Sequence, residues 1–142
     1  MPDLLDASVW VPLCAPDHVH HASALRYWHE EAADELVFCR VTALALLRCL
    51  TNPRILGAAV LDGRAAWHAL MTWLAVPRIR LLEEPAGLDE WLGRWAGELD
   101  LRGAAWTDAY LAAFAAAGDC RLVAFDAGFQ RFQGIDFLPL SP

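Results

Sequence analysis

Three aspartates stand where a folded chain could use them together. Asp6 closes a short apolar run, Leu4-Leu5, and Asp126 follows another, Leu122-Val-Ala-Phe125. Asp108 lies in the first turn of an Ala-rich helix, Thr107 to Ala117, that feeds the second of these runs. In an open α/β sheet the carboxyl ends of the strands face the ligand crevice. With the first and fourth strands adjacent, all three carboxylates converge there. Two carboxylates about 4 Å apart repel by roughly 4 kcal/mol at an effective dielectric of 20. A hard divalent cation, Mg2+ or Mn2+, offsets that repulsion by taking oxygen ligands. A lone Asp after a strand could equally be the N-cap of the next helix; the three together point to a metal site.

The elements that must position these residues can be read from periodicity and punctuation. Leu4-Leu5, Leu36 to Cys39, Ile79 to Leu82, Leu122 to Phe125 and Phe137-Leu138 read as strands. Helices are expected over Ser8–Leu13, His20–Glu31, from Thr42 to Leu50, Arg64–Ala75, Leu88–Leu99 and Thr107–Ala117, with apolar residues at helical spacing. Thr42 is expected to cap the third helix, Pro53 to end it, and Gly118 to follow the last one as its C′ residue. Strands alternate with helices throughout, which argues for an α/β fold with a parallel sheet covered on both faces.

The chain of 142 residues suits one domain spanning 1–142. Its net charge of −7, with eleven basic residues that are all Arg, argues against a broad basic surface for nucleic acid but leaves room for a local, cation-neutralised site. The 57% apolar content and seven Trp suggest that some apolar surface meets another protein. None of the four cysteines forms a C-x-x-C pair; Cys14, Cys39 and Cys49 read as small buried hydrophobes and fit a reducing cytosol. Neither a signal peptide nor a membrane span is visible, so a cytoplasmic location is expected.

Other polar residues read more plainly. His18, His20 and His21 crowd a turn and a helix start, where neighbouring side chains point apart, so they are not expected to hold a metal. Asp17 is expected in a turn or as a cap, and Asp119 and Asp136 in loops. Asp3, three residues before Asp6, should face the opposite side of the strand near its other end. Trp67, Trp73, Trp91 and Trp95 read as core or interface residues, while Trp106 sits closest to the acidic rim. A dehalogenase-type phosphatase would need Asp-x-Asp after the first strand; Ser8 stands where its second Asp would be.

Four blocks in order carry a resemblance: Leu4-Leu-Asp6-Ala-Ser-Val-Trp10, Cys39-Arg-Val-Thr-Ala43-Leu-Ala-Leu-Leu-Arg48-Cys-Leu-Thr-Asn52, Trp106-Thr-Asp108-Ala-Tyr-Leu-Ala-Ala-Phe114 and Leu122-Val-Ala-Phe-Asp126-Ala-Gly-Phe129. Together they run through nearly the whole chain, which resembles the PIN-domain nucleases and, within them, the VapC toxins of bacterial toxin–antitoxin pairs. The resemblance implies a three-layer α/β/α PIN-like domain with a short parallel sheet of about four to five strands. It implies an endoribonuclease dependent on Mg2+ or Mn2+ that cleaves RNA, transfer or ribosomal, and is neutralised by a VapB-type antitoxin. It also implies a homodimer. Asp6, Asp108 and Asp126 match the family's catalytic, metal-binding acids, and Ser8 matches a supporting hydroxyl beside the first Asp. Thr107 reads as a cap of the late helix or a second supporting group. Arg40 and Arg48 are candidates to reach RNA phosphate, with a salt bridge to an acid as the competing role. The departure is Ala43, which stands where the family usually has an acidic or amide residue and offers no oxygen. An impaired site follows, or alternatively a non-catalytic PIN domain that acts by binding RNA or an antitoxin.

Overall fold

Strands of three or four residues are enough here because both sheet faces are buried. In the computed structural model, which describes residues 1–142, β1 (Asp3–Leu5), β2 (Leu36–Phe38), β3 (Ile79–Leu81), β4 (Arg121–Ala124) and β5 (Asp136–Pro139) form one sheet. Its order is β3-β2-β1-β4-β5, and every pairing is parallel. The expected number and direction of strands are found, and β1 does lie beside β4. The chain steps outward from β1 to β3 on one side and from β4 to β5 on the other. The β1/β4 junction is therefore the topological switch point, the place where such sheets open a crevice at their carboxyl ends.

Strand alternation divides the core in two. Leu4, Val37, Leu122 and Ala124 point to one face, packing with α6 (Leu88–Glu98) and α7 (Ala105–Ala117) through Trp95, Leu111 and Phe114. Leu5, Leu36, Phe38 and Val123 point to the other, under α1 (Ala7–Cys14), α2 (His21–Glu30), α3 (Arg40–Leu50) and α5 (Gly63–Leu74). There Trp10 stacks on Phe38 with ring centroids 4.1 Å apart. The result is the three-layer α/β/α arrangement that the resemblance implied.

Several local expectations need correction. The third helix starts at Arg40 rather than Thr42, with Cys39 as N-cap. Thr42 supports that start from within the first turn: its hydroxyl accepts from the Cys39 amide (3.0 Å) and donates to the Cys39 carbonyl (3.1 Å). Asn52 caps a further short helix, α4 (Pro53–Leu56), through the Arg54 amide. The last helix starts at Ala105, two residues early, and the left-handed residue after it is Asp119 (φ 52°), not Gly118. Asp136 opens β5 instead of lying in a loop. Of the three cysteines expected to be buried, only Cys39 is fully so; Cys14 and Cys49 are half-buried, and Cys14 accepts a hydrogen bond from the Trp73 indole at 3.1 Å.

Candidate active site

Asp6 follows β1 directly and has extended backbone (φ −64°, ψ 157°), so it caps α1: its carboxylate accepts from the Ser8 amide at 3.3 Å. Its own amide donates to the Val123 carbonyl at 2.9 Å, which fixes this strand end against β4. Ser8 completes the junction by accepting from the Phe125 amide at 3.2 Å. Ser8, expected as a supporting hydroxyl beside Asp6, joins α1 to the segment that carries Asp126. Asp126, two residues beyond β4, turns back to accept from the Gly128 amide at 2.8 Å. A side chain at 128 would meet that carboxylate, since an added Cβ would lie 3.0 Å from Asp126 Oδ1. Asp6 and Asp126 thus each spend an oxygen on a backbone amide, the cap role weighed at the outset, and each keeps the other oxygen.

Asp108 comes from the far side of the crevice, in the first turn of α7. Its carboxyl is pushed above the usual carboxylate range, first by burial and then by the negative charges of Asp126 and Asp6. Arg131 opposes the shift, with Nη2 3.5 Å from Asp108 Oδ2. Asp108 therefore lies within electrostatic reach of the other two acids. The three are not packed into a cage: no three His, Cys, Asp or Glu side chains stand close enough together to enclose a metal ion. Mg2+ does not require a cage. It usually keeps several waters and takes one or two carboxylates together with substrate phosphates. The donors fit such a hard cation in type and charge, and the strain on Asp108 is the strain that a cation would relieve.

The remaining candidates divide. Thr107 is exposed on the first turn of α7, where Ala104 is the N-cap and no side chain caps the helix, so Thr107 is not the expected cap. Arg48 is exposed and makes no salt bridge; Cys49 beside it feels both the Arg48 and the Asp6 charge, which places this end of α3 near the rim. Arg40 is also exposed without an acidic partner and borders a shallow depression with Leu82, Glu84 and Tyr110. The salt bridges weighed against phosphate contact are thus absent for both arginines. Ala43 is 1% exposed and packs in the core beneath α1 and α3 with Val9 and Leu46. Sequence reasoning missed Arg131. Its only signal was its place five residues after Asp126.

The histidines stay outside this set. His18 accepts from the His20 amide at 3.0 Å, His21 contacts the Pro12 carbonyl at 2.7 Å, and His20 stacks on Phe125 with centroids 4.5 Å apart. They brace the loop next to Asp126. Trp106 is exposed in the turn that bears Asp108, whereas Trp95 is core and Trp67 lies on the surface.

Fold and rim together define a class: an α/β/α domain with an acidic crevice at the switch point of a parallel sheet. The PIN domain family profile matches residues 4–135, and the chain belongs to that family. It is 39% identical to Ribonuclease VapC41 of Mycobacterium tuberculosis over 97% of this chain and 98% of that protein. To Ribonuclease VapC38 of the same organism it is 32% identical over 88% and 85%. Among solved structures it is similar in fold to VapBC-1 from nontypeable Haemophilus influenzae (TM-score 0.71, 17% identity, 98% of each chain). It is likewise similar to VapC20 of Mycobacterium tuberculosis, described as a sarcin–ricin-loop-cleaving toxin (TM-score 0.69, 20% identity, 94% and 95%). The chain is thus of the VapC type within the PIN family.

Proposed function

We propose that this protein is a divalent-metal-dependent endoribonuclease, the toxin of a toxin–antitoxin pair, with Asp6, Asp108 and Asp126 as its cation-binding acids. The observation that carries this reading is the joint action of Asp6 and Asp126 on the Asp108 carboxyl across the β1/β4 switch point. When bound, Mg2+ or Mn2+ supplies the Lewis acidity for hydrolysis of an RNA phosphodiester. The chain's own residues do the positioning. The amide bonds to Asp6 and Asp126 hold those carboxylates at the rim, and Ser8 keeps the two strand ends in register. Arg48 and Arg40, exposed and without acidic partners, are free to meet RNA phosphate. The substrate is RNA of the transfer or ribosomal class; VapC20 is described as cleaving the sarcin–ricin loop.

A VapB-type antitoxin is the partner this reading assigns, supported by fold neighbours solved as VapBC complexes. Exposed Leu44, Ile55, Trp67 and Met71 on α3, α4 and α5 supply apolar surface for protein contact, including a homodimer. No helix is long and apolar enough to cross a membrane, and four free cysteines suit a reducing cytoplasm.

Ala43 favours a second reading, a PIN domain that binds RNA or antitoxin without cutting, because it adds no oxygen to the rim. Cleavage of structured RNAs by the parent and by Ala43→Glu, with Mg2+, Mn2+ or EDTA, decides between them. The nuclease reading expects cleavage only with metal, slow for the parent and faster for Ala43→Glu where circular dichroism shows that the buried Glu leaves the variant folded. RNA retained but uncut by both proteins favours the binding reading, and cutting by both in EDTA overturns the metal mechanism.

A further inference from the structure

Arg131 is the one basic side chain paired with an acid of the rim. It ends a single 3₁₀ turn, Ala127–Arg131, whose first residue follows Asp126. The backbone on either side is anchored: Phe129 and Phe132 are buried, and Phe132 packs against Trp95 with ring centroids 5.1 Å apart. The guanidinium is not anchored in this way. Its side chain is 43% exposed, it lies over the Phe132 ring at 5.0 Å, and it approaches Asp108 at 3.5 Å, longer than a tight charge-assisted hydrogen bond. Arg131 is therefore an exposed, loosely paired cation on a buried base, within reach of the Asp108 carboxylate.

A guanidinium and a hard cation at the same carboxylate repel each other, so occupation by one weakens occupation by the other. Displaced from Asp108 but still seated on Phe132, the guanidinium stays at the rim. Its planar fork of donors matches a phosphate diester better than an ammonium does. We propose that Arg131 is a displaceable counter-ion: it neutralises Asp108 before a divalent cation loads, then swings to grip a phosphate of the bound RNA. The proposal rests on the reading of Asp108 as a cation ligand, and it makes Arg131 a positioning residue for substrate.

The test uses the full chain with four sequences: parent, Arg131→Ala, Arg131→Lys and Asp108→Asn. Mn2+ is titrated at low salt, read by melting temperature. Binding of a short single-stranded RNA is read across a salt series in Ca2+, a hard oxygen-seeking cation used in place of the cleavage-supporting metals, with intact RNA confirmed on a gel. Arg131→Ala should bind Mn2+ about two- to fivefold more tightly, the range expected for losing an exposed ion pair. It should also bind RNA more weakly, with a log–log salt slope shallower by about 0.7 for one lost phosphate contact. Arg131→Lys should fall between. A merely structural role would weaken both ligands together. Mn2+ affinity unchanged or reduced in Arg131→Ala, or RNA binding and its salt slope unaffected, overturns the proposal while leaving the cation site intact. A parent that ignores Mn2+, or a response that survives Asp108→Asn, overturns the cation-site reading and this proposal with it.

Discussion

At the scale of the residue, Asp108 gives the acidic rim a measurable signature. Burial and the charges of Asp126 and Asp6 raise its pKa in the folded chain. A carboxyl raised on folding is harder to ionise there than in the unfolded chain, so the folded state holds its proton longer. Stability therefore falls as pH rises from the ordinary Asp range through the raised value, and above that interval the penalty is fully present. Asp108→Asn removes the charge and keeps the shape. In EDTA near neutral pH the variant should melt at the same temperature as the parent or higher. The gap should close as pH falls through the ordinary Asp range, where both proteins are neutral at this position. Thermal melts over a pH series check this. A variant that melts lower than the parent at neutral pH would mean that the Arg131 pair outweighs the repulsion.

At the scale of the element, Ser8 joins two strand ends that the sequence separates by more than a hundred residues. Ser8→Ala leaves the part-buried Phe125 amide without its acceptor. The expected cost is about 1–3 kcal/mol, the penalty for an unsatisfied donor, read by urea denaturation. The melting response to Mn2+ should also weaken, because Asp126 follows Phe125 directly. A stability loss with the Mn2+ response intact would show that Asp126 is held by Gly128 alone. Ser8 illustrates what was legible beforehand. Its place beside Asp6 was clear from spacing, but its partner was not, since no local pattern reports which amide will lie across a parallel crossover. Strand positions and helix periodicities were legible for a related reason: Leu4/Leu5 and Leu36/Val37/Phe38 bury both sheet faces and read as continuous apolar runs. Helix starts were not. Thr42 has the chemistry of a cap, yet the backbone turns at Cys39, and Thr42 reaches back to that turn from inside the helix. Thr107 was misread in the same way, because α7 opens at an Ala with no side-chain cap. Arg131 escaped because an isolated Arg at the end of a single 3₁₀ turn carries no periodic signal.

At the scale of the molecule, the two ends of the sheet divide the work. The carboxyl end gathers like charges and leaves them incompletely paired. The amino end buries a charge and satisfies it. Asp3 is fully buried at the start of β1, at the end of the strand away from Asp6. It receives two hydrogen bonds from Arg121, both 2.8 Å, one from the Tyr27 hydroxyl at 2.6 Å and one from the Ala33 amide at 3.0 Å. Arg121 also donates to the Glu31 carbonyl at 3.0 Å, so one carboxylate ties β1, β4, α2 and the turn after α2 into a unit. Burial and this carboxylate raise the Tyr27 phenol well above its usual range, which favours its protonated, hydrogen-bond-donating form. Removing one partner of a buried pair costs about 3–5 kcal/mol because the other charge is left uncompensated. Asp3→Ala should therefore lower urea-denaturation stability by that order. Tyr27→Phe removes one hydrogen bond to a charged group, should cost about 1.5–3 kcal/mol, and remains informative if Asp3→Ala fails to fold. Folded Tyr27→Phe should keep the parent's Mn2+ response, because the altered hydroxyl lies at the end of the sheet away from the acidic rim. If that response were lost in a variant that remains folded, the two ends would be coupled through β1 and β4, and the division of labour between them would be wrong.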